Sequence, residues 1–92
     1  MGYIFEWDWA KAASNARKHR VTFDEASTVF ADPLALLKTD PDHSHGEERY
    51  LLLGMSNRQR LWVVAFCERP PRTRLISARP ATRQERASYE GT

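Results

Sequence analysis

Arg49-Tyr-Leu-Leu-Leu-Gly-Met55, Arg60-Leu-Trp-Val-Val-Ala-Phe-Cys-Glu68 and Thr73-Arg-Leu-Ile-Ser-Ala-Arg79 are three runs of strand length in quick succession. Ser56 to Gln59 and Arg69 to Arg72 separate them, and connections this short suit hairpins. The stretch therefore predicts an antiparallel meander. Leu61 to Cys67 is apolar on both faces, which fits a central strand covered on at least one side by helices.

Helical patterns flank the meander. Tyr3 to Trp7 reads as a first strand, and Asp8 stands where a helix N-cap belongs. Trp9, Ala12, Ala13 and Ala16 then share one helical face, with Lys18 and His19 at the end where positive charge complements the helix dipole. Thr22 with Glu25 makes a capping box ahead of a second stripe, Phe23, Ala26, Val29 and Phe30, which Asp32 and Pro33 stop. Leu34 to Lys38 reads as extended, and Asp40 to Gly46 as a turn-rich loop. Thr82 with Glu85 makes another capping box, so Ala81 to Glu90 is expected to be a short polar helix. The expected fold class is α+β, in the order β-α-α-β-β-β-α, with an antiparallel sheet packed on two N-terminal helices.

A chain of 92 residues, 41% hydrophobic and 28% charged, suits one domain over residues 1–92 with a modest core. Its longest uncharged apolar run is far short of a membrane span, and no secretion signal opens it, so the expected location is the cytoplasm. The single cysteine, Cys67, reads as a small buried side chain.

Charge is divided along the chain. From Arg49 onward there are nine arginines, no lysine and three acids, whereas Met1 to Glu48 carries five bases and nine acids. Arginine's planar fork binds phosphate in bidentate fashion, so the basic half suggests RNA or DNA as partner.

Phe5-Glu-Trp-Asp-Trp-Ala-Lys11, Asn15-Ala-Arg-Lys-His19, Val21-Thr-Phe-Asp-Glu-Ala26, Phe30-Ala-Asp-Pro33, Glu47-Glu-Arg49, Ile76-Ser-Ala-Arg79 and Ala81-Thr-Arg83 together resemble the BrnT family of toxins over nearly the whole chain. The element order is similar to that of the RelE-type toxin fold. The resemblance implies a ribonuclease toxin of a type II toxin-antitoxin pair. Its partner would be a BrnA-like antitoxin with a ribbon-helix-helix region, assembled as a heterotetramer that contacts operator DNA through the antitoxin. One departure is Arg20-Val21, where the family commonly has a glycine after the histidine.

Metal-independent RNA cleavage lets the ribose 2′-hydroxyl attack the adjacent phosphate. It needs a base, cations on the developing charge and an acid for the leaving 5′-oxygen. By strand pleating Arg79 shares a face with Thr73, Leu75 and Ser77, and Glu68 shares one with Trp62, Val64 and Phe66. Arg79 is the expected phosphate clamp, since an excess of arginine leaves few acids to pair with it, and Arg49 is a second cation. Glu68, Glu48 and His19 are the candidate proton carriers. The bland alternatives are that His19 satisfies helix-end carbonyls and that Glu68 pairs with Arg74 or Arg60. Lys18, Arg83 and Arg86 extend the expected RNA track, and Tyr89 reads as exposed enough to stack or relay a proton. Trp7, Trp9, Trp62 and Tyr50 fall at core spacing. Asp40, Asp42, His43 and His45 crowd together but fit no recognised metal frame, and no cofactor is expected. A module that binds nucleic acid or a partner protein without cutting would use the same arginines.

Overall fold

The computed structural model of the chain describes residues 2–40 and 46–91. Its order is β1 (Phe5–Glu6), α1 (Trp9–His19), α2 (Phe23–Ser27), a 3₁₀ turn (Thr28–Ala31), β2 (Leu36–Thr39), β3 (Tyr50–Met55), β4 (Leu61–Arg69), β5 (Arg72–Pro80) and α3 (Arg83–Glu90). The strands form one mixed sheet in the spatial order β1-β5-β4-β3-β2. The expected meander is present as β3, β4 and β5, all antiparallel. Two corrections concern its flanks: β2 adds an antiparallel strand beside β3, and β1 joins β5 in parallel.

The expected pair of N-terminal helices is one helix and a short one. Asp8 caps α1 by accepting from the Lys11 N–H at 2.9 Å. After Phe23–Ser27 the second helix tightens, because the Ser27 and Thr28 hydroxyls bond back to the carbonyls of Asp24 and Glu25. Thr22 caps this helix, but only half of the expected box forms. The Glu25 carboxylate turns inward instead, accepting from Ser56 Oγ (2.7 Å), Trp62 Nε1 (2.9 Å) and Arg60 Nε (3.0 Å). At Thr82 and Glu85 the box is complete.

Leu61 to Cys67 is buried throughout, because the sheet is covered on both faces. The larger core joins Trp62, Val64, Phe66, Leu75 and Ala78 to Val21, Phe23, Ala26 and Val29. The smaller one joins Leu53, Leu61 and Val63, with Tyr89 of α3 packed against it. Trp9 departs from its expected place on the buried side of α1: it is 79% exposed and meets Trp7 edge to face. Cys67 is buried, and burial pushes its thiol pKa up. Among the described residues no helix is long and apolar enough to cross a membrane.

Candidate nucleic-acid cleft

β5 is nine residues long, but β1 pairs only with Thr73 and Arg74, so the distal half of β5 has an open edge. α1 packs beside that edge. Asn15 Oδ1 accepts from the Ala78 N–H at 3.0 Å, satisfying a strand amide that has no neighbouring strand. Between helix and edge lies a cleft of about 340 Å³ whose walls carry Lys11, Lys18, His19, Ser77 and Arg79. Lys11 and Lys18 are seven residues apart and project from one side of α1. Three basic residues and a histidine therefore line the cleft. Among the described residues, no ion pair involves Lys11 or Lys18.

A bulge sets the side of the sheet to which the Arg79 side chain points. The β4–β5 register slips between Ala65 and Phe66, which pair with Ser77 and Leu75 and leave Ile76 over. Strict alternation put Arg79 on the face of Thr73 and Leu75, and the extra residue moves it to the other face. Leu75 and Ala78 thus both enter the larger core, while Arg79 pairs across from Val63 on the α3 side. There Glu85 takes the guanidinium in a two-point grip, Nη1 to Oε1 at 2.8 Å and Nη2 to Oε2 at 3.0 Å. Nη1 also donates to the Pro80 carbonyl. The hydrogen bonds to Glu85 raise the Arg79 pKa, and those from Arg79, with the Thr82 N–H, hold the Glu85 carboxyl at about 2. An acid was therefore available to Arg79 after all. Glu85 reads from sequence as a cap, and it both caps α3 and fixes the arginine.

The other candidates are dispersed. Glu68 accepts from Thr73 Oγ1 at 2.7 Å and does not meet Arg74 or Arg60, which go to Glu6 and Glu25. It lies five β4 residues from Val63, the partner of Arg79, or roughly 17 Å at about 3.4 Å per residue. Glu48 is exposed, with the Tyr50 hydroxyl 3.4 Å away. Arg49 precedes β3, and its carbonyl accepts from the N–H of Asp40, whose charge helps to raise the Arg79 pKa. Arg83 and Arg86 are exposed on α3, and Arg86 reaches Glu90 at 3.9 Å. Tyr89 is half-buried where exposure was expected. Its hydroxyl donates to Asp32 Oδ2 at 2.6 Å, which pushes its pKa up to about 12. Trp62 and Tyr50 lie in or against the core as expected.

Asp42, His43 and His45 of the crowded loop lie outside the described residues. Among the described residues no three His, Cys, Asp or Glu side chains converge as a metal site.

The family model described as "Ribonuclease toxin, BrnT, of type II toxin-antitoxin system" matches residues 7–85. Among solved structures, the chain is similar to the 1.1 Å crystal structure of the Brucella abortus ribonuclease toxin BrnT. The two are 21% identical over 89% of this chain and 100% of that one, with a TM-score of 0.64. At that identity the likeness concerns the fold. No curated protein matches the chain.

Proposed function

We propose that this chain, which belongs to the BrnT family of ribonuclease toxins of type II toxin-antitoxin systems, cleaves RNA without a metal ion in the cleft between α1 and β5. The observation that carries the reading is that His19, Lys18, Lys11 and Arg79 all line this one cleft. The RNA backbone enters as an anion among cations. His19 takes the proton of the 2′-hydroxyl as its oxygen attacks the adjacent phosphorus. Arg79, aligned by Glu85, and Lys11 stabilise the charge that develops on the non-bridging oxygens. The Lys18 ammonium protonates the 5′-oxygen as its bond to phosphorus breaks, leaving a 2′,3′-cyclic phosphate and a 5′-hydroxyl. Glu68 and Glu48 take no part in this scheme, because neither lines the cleft.

Arg49, Arg83 and Arg86 contact the RNA on either side of the scissile bond. The working unit is one BrnT-like domain over residues 1–92, of RelE type and acting in the cytoplasm.

Membership of a type II system implies an antitoxin partner. Our reading is a BrnA-like ribbon-helix-helix protein that forms a heterotetramer with the toxin and carries operator DNA contacts. Acids on the antitoxin cover Arg49, Arg79 and Arg83, and the exposed Leu34 ahead of β2, with Leu36 and Leu37 on it, supply an apolar margin.

The test is incubation of RNA with the purified toxin in EDTA, followed by analysis of the new termini. Cyclic phosphate ends are expected. Cleavage that needs added magnesium, or that leaves 5′-phosphates, overturns the mechanism. RNA bound and left intact would identify a binding module in place of an enzyme.

A further inference from the structure

β2 is the last strand on its side of the sheet, and among the described residues no strand pairs with its outer edge. Sheet edges are commonly guarded by charge, proline or a bulge. Leu36-Leu-Lys-Thr39 instead runs in unbroken register with β3 and carries Lys38 as its one charge. The Asp40 N–H bonds at 2.8 Å to the carbonyl of Arg49, the residue opposite it. By antiparallel alternation Lys38 and Leu36 therefore bond inward to β3, while Leu37 and Thr39 turn their N–H and C=O groups outward. The open edge is also apolar, with Leu36 45% and Leu37 61% exposed. Both faces beside it are hollowed. On the α3 side Leu36, Lys38, Leu51, Leu53 and Val63 line a groove of about 180 Å³. On the other side Leu37, Leu52, Phe30 and Phe66 line a hollow of about 260 Å³.

We propose that an extended segment of the antitoxin joins the sheet along β2 as a sixth strand, with side chains that are apolar, apolar and acidic opposite Leu36, Leu37 and Lys38. Successive side chains of an added strand fall on opposite faces, so the first fills the groove on the α3 side and the second packs beside Leu37. The acid meets Lys38, which makes no ion pair among the described residues. The inference rests on the antitoxin reading above. A second copy of the chain fits the edge less well. The two-fold pairing that engages Leu37 and Thr39 of both copies sets one Lys38 directly opposite the other, where like charges repel. A four-residue edge is also small against the roughly 800 Å² per partner of a stable interface. A segment leading out of a folded antitoxin adds to contacts made elsewhere.

β2 lies across the sheet from the α1–β5 cleft, so docking can be tested apart from catalysis. The probe is the purified ribbon-helix-helix antitoxin encoded with the toxin. Thr39→Pro deletes one outward N–H and leaves the bonds to β3 in place, with Thr39→Ala as its control. The proline variant should bind the antitoxin about 10-fold more weakly, and the alanine variant as the wild type does. Lys38→Glu should lose a similar factor. All three should cut RNA at the wild-type rate. Wild-type affinity in Thr39→Pro or in Lys38→Glu overturns the proposal.

Hydrogen exchange needs no variant and decides the matter even if Thr39→Pro misfolds. The Leu37 and Thr39 amides should exchange freely in the free toxin and be protected by saturating antitoxin. If they still exchange freely in the complex, the proposal fails while the antitoxin reading stands. If concentrated toxin protects them without antitoxin, the occupant is a second copy and the proposal is overturned. An antitoxin that does not bind wild-type toxin at all sinks the antitoxin reading and this proposal with it.

Discussion

Replacing Glu25 by Gln is expected to destabilise the toxin by an amount that depends on pH in a calculable way. The Glu25 carboxylate is 7% exposed and accepts from Arg60, Ser56 and Trp62. The Arg60 guanidinium, which also stacks over the Trp62 ring at 4.9 Å, outweighs the burial penalty, and with Ser56 and Trp62 it holds the carboxyl at about 2 against an ordinary 4.5. At about 1.4 kcal/mol per pH unit that difference is worth about 3 kcal/mol at most. Arg60 is 42% exposed and can rehydrate when its partner is lost, so about 2 kcal/mol is expected. Because the folded-state pKa is depressed, this stability is fully present above about pH 5. It disappears as pH falls from about 4.5 towards 2. Urea unfolding followed by tryptophan fluorescence from pH 7 to pH 2 should show Glu25→Gln trailing the parent by about 2 kcal/mol near neutrality. That is a midpoint shift of about 1–2 M for a small domain. The gap should close at the acid end. Glu85, also held at about 2, contributes equally to both proteins and cancels in the difference. A gap independent of pH, or none at pH 7, would refute the account.

Three further outcomes follow from local geometry. Arg79→Lys keeps the charge but loses the two-point grip of Glu85, and RNA cleavage should fall by about 100-fold with the circular dichroism spectrum unchanged; a fully active lysine variant would remove Arg79 from the mechanism. Arg20 ends α1 in the left-handed region at φ 59°, where glycine is unstrained, so Arg20→Gly should raise stability by about 0.5–1 kcal/mol in thermal unfolding. A lowered melting temperature would mean that the Arg20 side chain contributes more than its backbone costs. In Gly54→Ala the new Cβ would stand 2.9 Å from Val29 Cγ1, 3.0 Å from Ala35 Cβ and 3.1 Å from Asp32 Oδ2, and a loss of about 1–3 kcal/mol is expected in urea unfolding. An unchanged midpoint would show that the 3₁₀ turn yields without cost.

The meander and the capped helices were legible because their signals are local. Alternation, short connections and a Thr with a Glu three residues on identify β3 to β5 and α3 from neighbouring residues alone. Tyr3 to Trp7 and Leu34 to Lys38 were read as extended, and β1 and β2 lie there, but their places in the sheet were not legible. A two-residue strand gains its identity from the parallel partner it finds at Thr73 and Arg74, about 68 positions away. The bulge at Ile76 was hidden for a related reason: a one-residue slip leaves no mark in composition, yet it transfers Arg79 to the opposite face. Lys18 and His19 were read as the basic end of the first helix, and they close α1. Asn15, which satisfies the Ala78 amide at the open edge of β5, was not singled out, although the spacing of Lys11, Asn15 and Lys18 places all three on one helix face.

The division of charge along the chain also changes meaning on folding. Read linearly, the arginine-rich half had few acids of its own. In the structure the acids of the other half cross over to meet it: Glu6 reaches Arg74 at 3.3 Å and Arg72 at 3.9 Å, Glu25 holds Arg60, and Glu47 grips Arg69 through two bonds of 2.9 Å. These arginines serve first to fasten distant segments together. A phosphate approaching them would have to compete with a carboxylate already in place, whereas Lys11 and Lys18 make no such ion pair among the described residues. In the proposed mechanism, attraction of RNA therefore falls to the lysines of the helix more than to the arginines of the sheet. Arg79 belongs to both groups, since Glu85 holds its guanidinium while the residue lines the cleft. The residues proposed to recruit the backbone and the residue proposed to clamp it thus come from opposite ends of the chain, and the open edge of β5 is where folding brings them together.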